Sequence, residues 1–248
     1  MNIYGLIGKK ISYSFSPDYF NKKFKKLGID AEYRIFELEH PEDFPEFIDK
    51  NPSIVGLNVT IPYKRSLGMY MNYSDKIVSL TGSVNTIKII RNNNKVILSG
   101  FNTDVIGFEK SLSPLIKGKK NISALILGTG GSSKSIAYVL RKLGIIFCFV
   151  SRNYGEMLQT NYEWLDKAII DKSLIIINTT PLGTYPKINE APPIPYELIS
   201  DKHIFFDLVY NPSETLFMKK GKEMGATCIN GLNMLENQAE ASWKIWNK

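Results

Sequence analysis

The stretch "ALILGTGGSSKSIAYVLRKLG" (124–144) constrains the fold more than any other part of the chain. A short apolar run ends on Gly128-Thr129-Gly130-Gly131, and a helix is predicted to start at once, over 132–143. Gly128 permits the tight turn and Gly130 lets backbone N–H groups come close to a pyrophosphate. The helix N-terminus adds further donors and the positive end of its dipole. Ser133 stands where a G-x-G-x-x-G pattern has its third glycine, and is small enough for close packing. A glycine turn alone is also what a plain strand-to-helix turn looks like. The strand–turn–helix setting is what makes Gly128, Thr129, Gly130, Gly131 and Ser132 candidates for binding a dinucleotide. The next predicted strand, 145–150, ends in Ser151-Arg152-Asn153, about 20 residues past the glycines. An NAD site places Asp or Glu there for the ribose 2′-hydroxyl. This chain has neither, and Arg152 offers a guanidinium to a 2′-phosphate, so NADP is favoured over NAD. The plainer reading of Arg152 is a surface arginine following a strand.

The rest of the chain keeps the same alternation, which predicts βαβ units and an α/β fold. "NIYGLIG" (2–8) reads as a strand. Ser16 then reads as an N-cap with Pro17 at the first helical position. The helix carries a stripe of Tyr19, Phe20, Phe24 and Leu27 and stops at Gly28. A strand at 31–38 and a weaker helix at 41–49 follow. The stretch 84–100 reads as a hairpin turning at Arg91-Asn92-Asn93-Asn94. "SLSPLIKGKKN" (111–121), with Pro, Gly and a basic run, looks like a boundary. Beyond the glycine turn, strands are predicted at 173–178 and 203–209 and a helix at 213–224. The proline-rich segment 181–195 is predicted to be an irregular loop, and 154–172 is short for a helix plus a strand.

Composition narrows the function classes. The 248 residues suffice for one large domain or two modest ones. The net charge of +7 favours anionic partners. The lysines are scattered, which ranks nucleic acid below a solvated basic surface or a small anionic substrate. Two cysteines, Cys148 and Cys228, make neither a disulfide framework nor a metal-binding spacing, and fit a reducing cytoplasm. No apolar run resembles a signal peptide or approaches the ~20 residues of a membrane span. The expected partners are therefore a small molecule, with no nucleic acid, no membrane and no metal, in a cytoplasmic monomer or homodimer.

Four stretches of the first half set polar residues at strand ends beside glycines: "SYSFSP" (12–17), "GLNVTIPYK" (56–64), "TGSVNT" (81–86) and "GFNTD" (100–104). Ligands of open α/β sheets gather outside the carboxyl ends of strands. Ser14, Ser16, Asn58, Thr60, Asn85, Thr103 and Asp104 would make a pocket of hydroxyls and amides suited to a polyhydroxylated ligand. Each of them alone also reads as a cap or a turn. Lys64 and Asp104 add an amine and a carboxylate. A hydride arriving at a carbonyl leaves charge on oxygen, and a lysine oriented by a carboxylate can deliver the proton that is needed. The alternative is a surface ion pair, or no contact between them.

These motifs, in this order, resemble the shikimate dehydrogenase family along nearly the whole chain. "YGLIGKKISYSFSP", "GLNVTIPYK", "GSVNT", "GFNTDVIGF", "GTGGSSKSIA", "SRN", "NTTPLG", "DLVYNP" and "NGLNMLENQAEASWKIW" carry the likeness. It implies an N-terminal α/β substrate domain and a C-terminal Rossmann-like dinucleotide-binding domain, with the active site in the cleft between them. The expected limits are 1–103, with the C-terminal helix 232–248 packing back on it, and 104–231. The implied activity is NADPH-dependent reduction of 3-dehydroshikimate to shikimate, a step of aromatic amino-acid biosynthesis. Lys64 and Asp104 would be the catalytic pair, and Ser14 and Ser16 would hold the substrate carboxylate. Thr60, Asn85, Asp104 and Gln238 would bind the ring hydroxyls, with Tyr210 nearby. Ser151, Arg152 and Asn153 would form the 2′-phosphate site. Thr179-Thr180-Pro181, Leu208 and Gly231 would lie near the ribose and nicotinamide.

Two departures stand out: Tyr13 where the family usually has His, and Ser151-Arg152-Asn153 where it usually has Asn-Arg-Thr. A relative acting on quinate is the near alternative, although the Ser14/Ser16 pair favours shikimate. A methylenetetrahydrofolate dehydrogenase would want an aromatic platform for a pterin. A regulatory protein that binds NADPH without turnover would tolerate loss of Lys64.

Overall fold

The computed structural model describes all residues except 13, 93–94 and 153–157. The chain forms two compact units. The first is Met1–Thr103 with Ala239–Lys248, and the second is Asp104–Gln238. Among the described residues no helix is long and apolar enough to cross a membrane.

The first unit contains β1 (Asn2–Gly8), α1 (Ser16–Leu27), β2 (Ala31–Glu37), α2 (Phe44–Lys50), β3 (Ile54–Val59), β4 (Tyr73–Ser74), α3 (Lys76–Thr81), β5 (Thr86–Asn92) and β6 (Lys95–Phe101). Its sheet runs β2-β1-β3-β5-β6-β4. β1 pairs in parallel with β2 and β3, whereas β5 is antiparallel to both β3 and β6. The βα alternation of the first 60 residues makes the parallel half, and the hairpin turns the remainder antiparallel. The sheet is therefore mixed where an all-parallel one is the simpler expectation. The strands also run further into the predicted turn, with Arg91 opposite Val96 and Asn92 opposite Lys95; Asn93 and Asn94 lie outside the described residues.

Phe20 and Phe24 of α1 are buried, and Phe20 stacks on Tyr33 with ring centroids 4.5 Å apart. Leu27, expected on the same stripe, is exposed, because it ends the helix just before Gly28 takes a left-handed conformation (φ 64°). Trp246 caps this cluster, and its indole N–H donates to the Ile87 carbonyl (3.0 Å). It passes so close to Gly56 that a Cβ there would sit 2.6 Å from the ring.

The second unit contains α4 (Asp104–Ile116), β7 (Ser123–Leu127), α5 (Gly131–Lys142), β8 (Ile146–Val150), β9 (Gln159–Thr160), α6 (Lys167–Lys172), β10 (Ile175–Asn178), β11 (Ile204–Asp207), α7 (Leu216–Glu223), β12 (Thr227–Ile229) and α8 (Leu232–Trp246). α8 contributes its last turns to the first unit, from Ala239 onward. All strands of this sheet are parallel, in the order β12-β11-β10-β7-β8-β9. Counting strands within the unit, that is the doubly wound 3-2-1-4-5-6 order. The segment 111–121 is not the boundary: α4 runs through most of it. Val105, Phe108 and Leu112, at helical spacing and all buried, hold the helix past Pro114. The passage between units falls earlier, inside "GFNTD".

Candidate active site

Strand directions explain why the polar stretches of the first unit converge. β1 and β3 are parallel, so Gly8 and Val59 end at one edge of the sheet. β5 is antiparallel to β3, with Asn58 opposite Thr86, so β5 begins at that edge. β6 returns to it, with Thr86 opposite Phe101, and Asn102, Thr103 and Asp104 follow. α1 also starts there, after β1. Ser14 and Ser16 therefore share an edge with Thr60, Asn85 and Thr103.

Ser16 is not the N-cap. Phe15 holds that position and Ser16 is the first helical residue. Ser14 supplies the acceptor instead, taking the Ser16 backbone N–H at 3.3 Å and lying 3.4 Å from its hydroxyl. Thr60 is tied to β1 through its N–H to the Ile7 carbonyl (2.9 Å). The Lys64 carbonyl accepts the Val84 N–H at 2.7 Å, which places Lys64 beside the "GSVNT" stretch. Its side chain is partly buried, whereas Asp104, the first residue of α4, is 2% exposed.

Asn58 does not open toward a ligand as the alternation of β3 suggested. It is 6% exposed and belongs to a closed network. Its carbonyl oxygen accepts from the Tyr33 hydroxyl (2.8 Å), and its amide nitrogen donates to the Asn85 carbonyl, Thr86 Oγ1 and Ser242 Oγ. The hydroxyls of Thr86, Thr103 and Ser242 lie 2.8–3.1 Å from one another. Asn85 Oδ1 accepts from the Thr103 N–H (2.7 Å) and from both threonine hydroxyls, which fixes its amide. Buried amides and hydroxyls left without partners would cost about 1–3 kcal/mol each. Here they satisfy one another and hold Asn85 and Thr103, the residue before Asp104, in one arrangement.

In the second unit every strand ends at the same edge, because all are parallel. That edge gathers the glycine turn after β7, Ser151 and Arg152 after β8, Thr179 after β10, Leu208 and Tyr210 after β11, and Gly231 after β12. β7 and β10 are neighbours whose connections leave in opposite directions, the switch point at which such sheets bind ligands. Gly128 has φ 104°, and a Cβ on it would meet Thr179 Oγ1 at 2.9 Å. Gly130 precedes α5 with nothing within 4 Å of a Cβ position, so its backbone borders open space. Ser133 is buried and donates to the Gly130 carbonyl (2.6 Å), closing the turn. Thr179 donates to the Leu127 carbonyl through N–H (3.0 Å) and hydroxyl (2.7 Å). Gly231 lies against Leu208, its N–H on the Val209 carbonyl (3.1 Å). A glycine turn opening on space at a helix N-terminus, at the switch point, fits a dinucleotide pyrophosphate. Arg152 is exposed and close enough to Tyr162 for its charge to oppose the upward push that burial gives that phenol, to about 12. Asn153 lies outside the described residues, as does Tyr13. Of the segment 154–172, the described part holds β9, a single 3₁₀ turn at Tyr162–Trp164 and the six-residue α6.

The structure adds residues that the sequence reading quoted within motifs but gave no role. Asn178 and Asp207 end β10 and β11, both fully buried, with the Asn178 amide donating to Asp207 Oδ1 (3.0 Å). The available signal was two apolar strands, "IIIN" and "IFFD", each closing on a polar residue. Burial pushes the Asp207 carboxyl up to about 6, and its hydrogen bonds from Thr215, Val209 and Asn178 pull the other way. Ser242 gave no local signal, being one small polar residue in a long helix.

The family described as the shikimate dehydrogenase substrate binding domain matches residues 6–87. A shikimate dehydrogenase (NADP(+)) of Clostridium botulinum (strain Hall) is 39% identical over 98% of this chain and 95% of its own length. The solved chorismate mutase/shikimate 5-dehydrogenase fusion protein from Clostridium acetobutylicum is 38% identical. It covers 100% of this chain and 91% of its own, with a TM-score of 0.87. A shikimate dehydrogenase solved in complex with NADP+ is 33% identical over 99% of this chain and 90% of its own, with a TM-score of 0.82. With likeness of this extent over both units, the chain belongs to the shikimate dehydrogenase family.

Proposed function

We propose that this protein is an NADP-dependent shikimate dehydrogenase that reversibly reduces 3-dehydroshikimate to shikimate in aromatic amino-acid biosynthesis. The observation that carries this reading is the 39% identity to a shikimate dehydrogenase (NADP(+)) across nearly the full length of both chains. The first unit takes the substrate and the second takes NADP. When bound, NADPH supplies the hydride. Ser14 and Ser16 hold the substrate carboxylate, while Thr60, Asn85, Asp104 and Gln238 take the ring hydroxyls, with Tyr210 nearby. Lys64 delivers the proton to the oxygen that becomes the hydroxyl, and Asp104 works with it as the second member of the catalytic pair. Gly128, Thr129, Gly130, Gly131 and Ser132 present backbone donors to the pyrophosphate, and Ser151, Arg152 and Asn153 take the 2′-phosphate. Thr179, Leu208 and Gly231 border the ribose and nicotinamide. The two free cysteines, Cys148 and Cys228, support a cytoplasmic setting.

The near alternative is a relative acting on quinate, which the serine pair disfavours. Measuring kcat/KM for shikimate and for quinate with NADP+ separates the two. The reading expects shikimate to be preferred by at least about tenfold, as fits a site built to pair a substrate's polar groups. Equal values, or a preference for quinate, would contradict it. Arg152→Ala is expected to raise the KM for NADPH about tenfold or more, as loss of a charge-assisted phosphate contact should, and to leave NADH use nearly unchanged. Equal loss with both cofactors would sink the 2′-phosphate assignment.

A further inference from the structure

Asp207 closes β11 with no exposed surface and belongs to none of the groups that bind substrate or cofactor above. Its carboxylate gathers three segments of the second unit. Oδ1 accepts the Val209 N–H and the Asn178 side-chain amide, both at 3.0 Å. Oδ2 accepts the Thr215 hydroxyl at 2.6 Å, and Thr215 in turn caps α7 by accepting the Met218 N–H. The chain of contacts continues through Asn178. Its Oδ1 accepts the N–H (3.0 Å) and hydroxyl (2.7 Å) of Thr180, and Thr180 Oγ1 accepts the Leu182 N–H (3.3 Å). The Asn178 carbonyl also takes the Leu208 N–H (3.0 Å).

We propose that Asp207 is a positioning residue for the cofactor, fixing the Asn178–Leu182 turn and the Leu208–Val209 segment against each other at the ligand-bearing edge of the second sheet. The proposal rests on the reading that this edge binds NADP. Thr179 sits between Asn178 and Thr180, and Leu208 between Asp207 and Val209. Two of the residues assigned to the ribose and nicotinamide, Thr179 and Leu208, are therefore flanked by residues that this carboxylate holds, and Thr179 is also tied to the Leu127 carbonyl. Its hydrogen-bond partners are all neutral, so nothing in the arrangement compensates the charge as an ion pair would. Burying a charge in that way is costly. What the carboxylate provides is acceptor capacity at both oxygens at once, which a neutral side chain of this size lacks.

The group therefore carries a titration. Burial pushes its pKa up to about 6, so it is ionised at neutral pH and loses acceptor capacity as pH falls through that value. Among the described residues, the other titratable groups that feel its charge are Tyr196, which precedes β11 in the chain, and Cys228 of β12. Burial pushes the Cys228 thiol up to about 11 and moves the Tyr196 phenol upward as well, so neither titrates alongside it. The weakening of the network below this pH should appear as weaker NADPH binding, with the affinity of the first unit for shikimate unaffected.

The test measures the Kd for NADPH by fluorescence on either side of pH 6 for the wild type, Asp207→Asn and Asp207→Ala, with kcat, the KM for shikimate and thermal stability alongside. Asp207→Ala should weaken NADPH binding about tenfold or more, as a displaced positioning group does, with the KM for shikimate unchanged. Asp207→Asn keeps the shape but, like the protonated carboxyl, offers a full acceptor at one oxygen only, and at neutral pH should bind NADPH more weakly than the wild type and more tightly than Asp207→Ala. The cofactor's own 2′-phosphate titrates in the same range, so the difference between profiles is the readout. The wild type should show a pH step that Asp207→Asn lacks. Superimposable profiles for these two proteins would overturn the proposal, as would parallel loss of affinity for both substrates together with lost thermal stability. A wild-type protein that binds no NADPH at any pH would overturn the functional reading itself, and the proposal with it.

Discussion

Lys64→Ala is expected to lower kcat by about three orders of magnitude while the KM for shikimate changes little. The expectation starts from the backbone. β3 ends at Val59, and the chain then crosses the edge of the sheet through Thr60, Ile61 and Pro62. The Val84 N–H holds the Lys64 carbonyl at 2.7 Å, so the position of the residue is fixed by the segment that leads into β5. An amine held in that way can deliver a proton to a developing alkoxide in the transition state, and a methyl group cannot. An interaction made only in the transition state lowers kcat and kcat/KM together when it is removed. If KM rises and kcat holds, Lys64 is a clamp for the substrate ring and the proton comes from elsewhere. Lys64→Arg makes a useful companion: it keeps the charge but not the compact amine, and should recover little of the rate.

Gly231→Ala should be the most disruptive single-methyl change in the second unit. A Cβ on Gly231 would lie 2.1 Å from the Leu208 carbonyl oxygen and 2.7 Å from its carbon. Those atoms are backbone and they are anchored. The Leu208 N–H bonds to the Asn178 carbonyl, and the next residue is held by Asp207. Gly231 is anchored as well, because its carbonyl takes the Leu235 N–H at the start of α8. Neither side can move without breaking hydrogen bonds at the end of β11 or in the first turn of α8. Overpacking of this kind costs about 3 kcal/mol, which for a chain of this size corresponds to a fall in Tm of roughly 6–12 °C. Because Leu208 is displaced, the KM for NADPH should rise in the same variant. A thermal scan with unchanged Tm, together with an unchanged KM for NADPH, would remove the close approach from the account.

Much of this was readable before any coordinates. The glycine turn, its flanking strand and helix, and the hairpin follow from local chemistry and periodicity, and the structure places them within a residue or two. The gathering of polar residues at one edge of the first sheet was readable as well, because polar residues beside glycines at strand ends are a local pattern. What local pattern could not supply was the direction in which a polar side chain faces. Asn58 alternates with apolar neighbours as a ligand-facing residue would, yet it points into a network completed by Ser242, 184 residues away. The Pro–Gly–Lys composition of 111–121 suggested a boundary, and three buried apolar residues at helical spacing overrode it. Asp207 was hidden for a related reason. A lone carboxylate after three apolar residues has no meaning until Asn178, Val209 and Thr215 are seen around it. Lys64 and Asp104 stood out from local chemistry as a candidate amine and carboxylate, and the order of many motifs along the chain is what gave them an expected catalytic role.

The central claim is tested most directly by mixing the purified protein with shikimate and NADP+ and following absorbance in the near-ultraviolet band of reduced nicotinamide, then repeating the assay with NAD+. The account predicts a steady rise with NADP+, a much slower one with NAD+, and loss of the signal in Lys64→Ala. No rise with shikimate and NADP+, or equal rates with the two cofactors, would contradict it.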